Sequence, residues 1–196
     1  MVNIENIKKL RAETSAPLAD VKEALEISKG DYEAAKAYLK KKGIAKAEKR
    51  SDREANQGVI GSYIHTTNKI GVLVEVNCET DFVAKNEDFQ AFAKDVAMQI
   101  AAMNPKYVSI DQVPENLKEE FYSEVKNDPK FAGKPEATIK TIADSKFKTY
   151  CEENSLMSQS FFKDGSVTIE EMLKSVSAKL GEAIKIRRFT RMEVGE

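Results

Sequence analysis

The stretch GVIGSYIHTTNKIGVLVEVNCETDFVAKNEDF, residues 58–89, decides the fold. Two β-rich arms flank a polar turn at Thr66–Asn68, which predicts a hairpin. In the second arm Ile70, Val72, Val74 and Val76 alternate with Gly71, Leu73, Glu75 and Asn77. A two-residue period puts one set on a single face, so that face is expected to be buried. The strand runs into a polar turn that presents Thr80, Asp81 and Phe82 together, and helical spacing then returns with Phe89, Phe92, Val96, Ile100 and Met103. An aromatic ring beside a carboxylate at a loop tip suits neither core nor water. Two readings stay open for Phe82: a staple packed back on the next helix, or an anchor offered to a partner, since an aromatic buried at an interface centre carries much of the binding energy.

Towards the N-terminus the pattern is helical. Ile4, Ile7 and Leu10 share one face; Pro17 suits a first helical turn; Leu18, Val21, Ala24 and Leu25 form the next stripe. Gly30 stops that helix, Asp31 can cap a third, and Ala35, Tyr38 and Leu39 carry it to Gly43. Three helices this short bury little surface and make a small module of marginal independent stability. Residues 40–55, KKKGIAKAEKRSDREA, read as an exposed, partly helical linker; Glu48, Asp52 and Glu54 dilute its positive charge and weigh against a nucleic-acid patch.

Towards the C-terminus, helices are expected at about 114–127, about 136–153 (Ile139, Ile142, Phe147, Tyr150) and about 168–180 (Ile169, Met172, Leu173, Val176, Leu180). The chain ends in a strand, AIKIRRFTRMEV. Ile184 and Ile186 share one parity while Phe189 shifts it, so a bulge is expected near Arg187–Arg188. The whole reads as α+β: a three-helix module plus linker over residues 1–55, then residues 56–196 as an antiparallel sheet of about three strands packed with helices.

Composition narrows the function. Lys+Arg number 31 against Asp+Glu 32, a net charge of −1, which argues against nucleic acid as the main partner. No run of eighteen apolar residues suggests a membrane span, and the opening MVNIENIKKLRAE lacks the apolar core and cleavage site of a signal peptide. Cys78 and Cys151 have no metal-ligand spacing, so a reducing, cytoplasmic location is expected. Cys78 reads as a small buried apolar residue. The single histidine, His65, sits at the hairpin tip, where a metal site would need further ligands. Glu79, Asp81 and Glu87 are acids with no convergent groups to make a general acid–base site. Neither GxxxxGK[ST] nor GxGxxG occurs. No cofactor and no covalent chemistry are expected.

The residues also carry a resemblance. EVNCETDFVAKNEDF (75–89) resembles the signature segment of the bacterial elongation factor Ts family, the guanine-nucleotide exchange factors of elongation factor Tu. IKKLRAETSAPLADVKEALEISKGDYEAAKAYLKKKG (7–43) resembles the family's ubiquitin-associated-like N-terminal module, GSYIHTTNKIGVLVEVNCETDFVA (61–84) its core hairpin, and QSFFKD (159–164) and GEAIKIRRFTRMEVGE (181–196) its later core segments. There are three departures. Thr14-Ser15-Ala16-Pro17 stands where the family usually has Thr-Gly-Ala-Gly. Proline fixes φ near about −65°, which bears on the loop's shape and on any contact made through it. Gln159-Ser160-Phe161 stands where Gln-Pro-Phe is common, and one core copy is present where longer members have two and a coiled-coil insertion.

The resemblance implies that Thr80, Asp81, Phe82 and Val83 form the loop that intrudes near the magnesium and nucleotide site of Tu's GTPase domain. Arg11, Leu18, Ala19 and Lys22 would dock another part of that domain, and Leu180 and Gly181 would press on its phosphate-loop side. His65 matches a hairpin-tip histidine of one core copy, to be supplied either by the same protomer or by the second one, since the short forms are expected to pair as homodimers through the sheet. The rival from another class is an interaction adaptor working through the three-helix module.

Overall fold

The computed structural model describes residues 3–14 and 16–196. It opens with three helices, α1 (Ile4–Thr14), α2 (Leu18–Ile27) and α3 (Tyr32–Glu48). Leu10, Val21, Ala24, Leu25, Ala35 and Leu39 face one another and form their shared core. Asp31 caps α3 as expected, its side chain accepting from the Ala34 N–H at 2.8 Å. Pro17 stands one residue before α2 instead of within its first turn: at φ −55° and ψ 145° it is extended, and its carbonyl accepts the Val21 N–H at 3.1 Å.

One expectation for this region fails. The third helix does not stop at Gly43 but runs on to Glu48, with Ala47 buried, so the helical part of the linker is its first half, and residues 49–55 lie outside any helix or strand. The reason is tertiary. Gly43 lies where α3 crosses α8 (Ile169–Leu180), and a Cβ built there would stand 3.0 Å from the Ala178 Cβ. Lys174 of α8 also bonds Glu48 at 2.9 Å. Small residues let the two helices approach, and the packing outweighs glycine's poor helix propensity.

The hairpin is present as β1 (Gln57–Ile64) and β2 (Ile70–Cys78). Its turn is closed by the His65 N–H to the Ile70 carbonyl and by Asn68 at φ 56°. The last strand, β5 (Lys185–Glu193), pairs antiparallel with β2 to give the order β1-β2-β5. Glu75 faces Arg188 while Val76 faces Ile186, so Arg187 is the extra residue of the expected bulge. Val72, Val74 and Val76 are buried against α5 (Glu87–Met103), whose Phe89, Phe92, Val96 and Ile100 fill the main core. Met103, read as part of that stripe, is half exposed at the helix end.

Between α5 and the last helix lies a packed helix pair, α6 (Asn116–Asn127) and α7 (Glu136–Asn154), with its own small core of Val125, Ile139 and Ala143. A ribbon not foreseen in the sequence follows: β3 (Ser160–Phe161) with β4 (Asp164–Thr168). It is pinned to α5 by the buried Gln99, whose amide donates to the Ser160 carbonyl at 3.1 Å and accepts from the Phe162 N–H at 2.9 Å. Among the described residues no helix is long and apolar enough to cross a membrane, and no cluster of acidic, histidine and cysteine side chains could hold a metal ion.

Candidate functional site

Beyond its last pairing with β5, at Asn77 and Lys185, strand β2 ends at Cys78, still paired with Gln57 of β1, and leads into α4 (Asp81–Ala84), a single helical turn. Thr80 is its N-cap: at φ −125° and ψ 157° it is extended, and its hydroxyl accepts the Val83 N–H at 3.3 Å. Cys78 lies beneath, buried, its Sγ donating to the Thr80 carbonyl at 3.1 Å. Burial pushes that thiol up to about 11, so it is a protonated packing group and no nucleophile.

Phe82 points outward and is 80% exposed, which removes the staple reading: a ring packed back on α5 would be covered. Asp81 is also exposed and pairs with Lys85 at 2.8 Å. The Lys85 ammonium holds the Asp81 carboxyl below its ordinary value, so it stays ionised. Such an exposed pair is weak and readily exchanged for another partner. Val83 turns the other way and packs on the main core.

The end of α8 stands beside this loop. A capping box opens α8: the Thr168 hydroxyl accepts the Glu171 N–H at 3.1 Å and the Glu171 carboxylate accepts the Thr168 N–H at 3.0 Å. Gly181 closes it at φ 78°, a left-handed conformation that glycine adopts without a Cβ penalty. Leu180 packs on the core while Gly181 is exposed. Two acids join this terminus to the loop. The Glu182 carboxylate accepts the Thr80 hydroxyl at 2.6 Å and the backbone N–H groups of Thr80 and Glu79 at 3.0 and 3.1 Å. The Glu79 carboxylate in turn accepts the Ala183 N–H at 2.7 Å. Sequence reasoning weighed Glu79 only as a candidate acid and missed Glu182 altogether. Nothing in a lone Glu after a helix-ending glycine signals a bond across a hundred residues.

The remaining candidates divide. Arg11, Leu18, Ala19 and Lys22 are exposed on α1 and the first turns of α2. The α1–α2 joint, at Thr14, Ala16 and Pro17, shares a cleft of about 370 Å³ with Leu180 and Gly181, so that side of the module is brought up to the end of α8. Ser15 of that joint lies outside the described residues. His65 is not brought to the site. It sits at the opposite end of the hairpin, about 25 Å of strand away, half-buried, with Nδ1 3.1 Å from the Tyr63 hydroxyl.

Residues 44–196 match the family model described as Elongation factor TS. The chain is 48% identical over 192 residues to Elongation factor Ts of Prochlorococcus marinus (strain MIT 9215), covering 97% of this chain and 88% of the relative. It is 46% identical over 190 residues to Elongation factor Ts of Desulfosudis oleivorans, covering 97% and 96% of the two chains. With Elongation factor Ts of Synechococcus sp. (strain JA-3-3Ab) it shares 47% identity over 196 residues, which is 70% of that relative. The chain belongs to the elongation factor Ts family.

Proposed function

We propose that this translation elongation factor binds the GDP-bound form of elongation factor Tu in the cytoplasm and promotes release of the nucleotide, so that GTP can take its place. The observation that carries the reading is Phe82: a large apolar ring 80% exposed, beside an ionised carboxylate, on a single helical turn held to the end of α8. Bare rings of this kind gain from burial at a partner, whereas in solution they gain nothing. Asp81 and Phe82 enter beside the magnesium site of the GTPase domain, Thr80 and Val83 hold them, and Leu180 and Gly181 press on the phosphate-loop side. Arg11, Leu18, Ala19 and Lys22 dock a second part of the same domain.

The mechanism is a linkage. If the bound factor lowers the affinity of Tu for GDP by some ratio, GDP lowers its affinity for the factor by the same ratio. Contacts equal in the two states would shift nothing, so those at Asp81–Phe82 act by distorting the magnesium and phosphate site. Burying Phe82 supplies about 1.5–3 kcal/mol, and each ~1.4 kcal/mol is tenfold in an equilibrium. One ring therefore accounts for part of the effect, with the remaining contacts supplying the rest. No covalent bond changes, so the factor acts as an exchange catalyst. A homodimer formed through the sheet completes the reading, with His65 delivered by the second protomer.

The test is release of a fluorescent GDP analogue from Tu with this protein at catalytic amounts. Accelerated release is expected. Release at the spontaneous rate, with a folded protein and a matched bacterial Tu, sinks the reading.

A further inference from the structure

Past Asn77 and Lys185, β2 and β5 have no further ladder pairs, yet the backbone N–H groups of Glu79, Thr80 and Ala183 are not left bare. Two carboxylates reach across the gap in opposite directions, Glu182 to Glu79 and Thr80, and Glu79 to Ala183. Side chains thus continue the join where the strands splay to turn the loop outward. The Glu182 end is itself fixed, because its carbonyl accepts the Ser177 hydroxyl at 2.6 Å from the last turn of α8.

The consequence runs through Thr80. Its hydroxyl proton is committed to Glu182 at 2.6 Å, which leaves its lone pairs to accept the Val83 N–H at 3.3 Å. One helical turn does not hold itself together, since nucleation costs more than a single internal bond returns. The turn bearing Asp81 and Phe82 is anchored beneath by Val83 and Ala84 on the main core and at its start by this cap, which Glu182 orients. We propose that Glu182 is a positioning residue for nucleotide exchange, presenting the Phe82 turn and the Gly181 end of α8 to the partner in one fixed relation before contact is made. This rests on the exchange reading above.

The chemistry specifies a glutamate. Three donors converge on its two oxygens, and a carboxylate accepts all three at once. Glutamine can keep the two backbone bonds with its oxygen, but its N–H then faces the Thr80 oxygen, so the charge-assisted bond that the Thr80 hydroxyl donates is lost; aspartate is one methylene short. A loop that is only fractionally in its binding conformation weakens apparent affinity by that fraction and leaves the bound complex unchanged.

The experiment uses Glu182→Gln in the full chain, with Thr80→Val as a second variant. The chain contains no tryptophan, so Phe82→Trp in an otherwise unaltered chain, and again together with Glu182→Gln, reports loop motion in the free protein. Glu182→Gln is expected to lower the anisotropy of the residue-82 indole and to raise KM for GDP-bound Tu roughly tenfold with kcat kept. Thr80→Val removes the Thr80–Glu182 side-chain bond and the Val83 cap but leaves the two backbone bonds of Glu182, so it too should raise KM, and its combination with Glu182→Gln should cost less than the sum, because the two share that bond. Unchanged anisotropy and KM in Glu182→Gln overturn the proposal. So does a loss of rate that merely follows the unfolded fraction in a thermal scan. If the wild-type chain itself fails to release GDP, the exchange reading falls and takes this role with it, while the anisotropy still reports whether Glu182 holds the loop.

Discussion

Phe82 and Val83 are neighbours with opposite duties: the ring is 80% exposed and the valine packs on the main core. Phe82→Ala therefore removes a group with no packing to lose. A thermal scan should show a stability change within about 0.5 kcal/mol, as for surface substitutions generally. The efficiency of GDP release should fall roughly ten- to hundredfold, the worth of one buried aromatic. A melting temperature that drops in step with exchange would bring back the staple. Sequence alone left that choice open for a physical reason. An aromatic just inside a helix start serves either role, and only tertiary exposure separates them. The pair of acids behind it was less legible still. Their bonds join residues more than a hundred apart, and the residue types are those of any solvated surface.

At the scale of elements, what the sequence carried depended on period. The alternation from Ile70 to Val76 specified β2 and its buried face, and the parity break between Ile186 and Phe189 located the bulge at Arg187. The β3–β4 ribbon escaped because a two-residue strand has no alternation to see. The third helix was cut short at Gly43 because local propensity disfavours glycine by about 1 kcal/mol. Packing against Ala178 overrides it. That override makes a prediction. Gly43→Leu raises the intrinsic helicity of α3 but adds a side chain where even a Cβ meets Ala178 at 3.0 Å. The full chain should lose about 1–3 kcal/mol, the usual cost of overpacking, and α3 should be forced from α8. Limited proteolysis should then cut faster between residues 49 and 56. A variant more stable than the parent, with unchanged cleavage, would mean the crossing contributes nothing and propensity alone governs α3.

The whole molecule leaves one face of its sheet bare. The strand register sets Ile60 beside Glu75 and Arg188, Ser62 beside Leu73 and Thr190, and Ile64 beside Gly71 and Met192. On this side, away from α5, Ile60, Ile64, Leu73 and Met192 are more than half exposed. Glu75 is held below its ordinary carboxyl value by the Arg188 guanidinium at 2.7 Å and also bonds Arg187 at 3.4 Å, so the acid on this face already has its partners within the chain. An apolar patch whose acid needs no outside partner suits a second copy of itself, since a two-fold contact sets each patch against its own likeness. Leu73→Lys should leave the core intact, because residue 73 points away from it. If two copies pair through this face as proposed, it should halve the mass measured by light scattering, because it sets a charge within the apolar patch. Exchange then separates two roles for His65. If the second protomer delivers it, the Leu73→Lys monomer loses activity, and the wild-type protein loses the same share on dilution below its dimer dissociation constant. Full exchange by a proven monomer would instead assign the work to the Phe82 loop and the N-terminal module of a single chain.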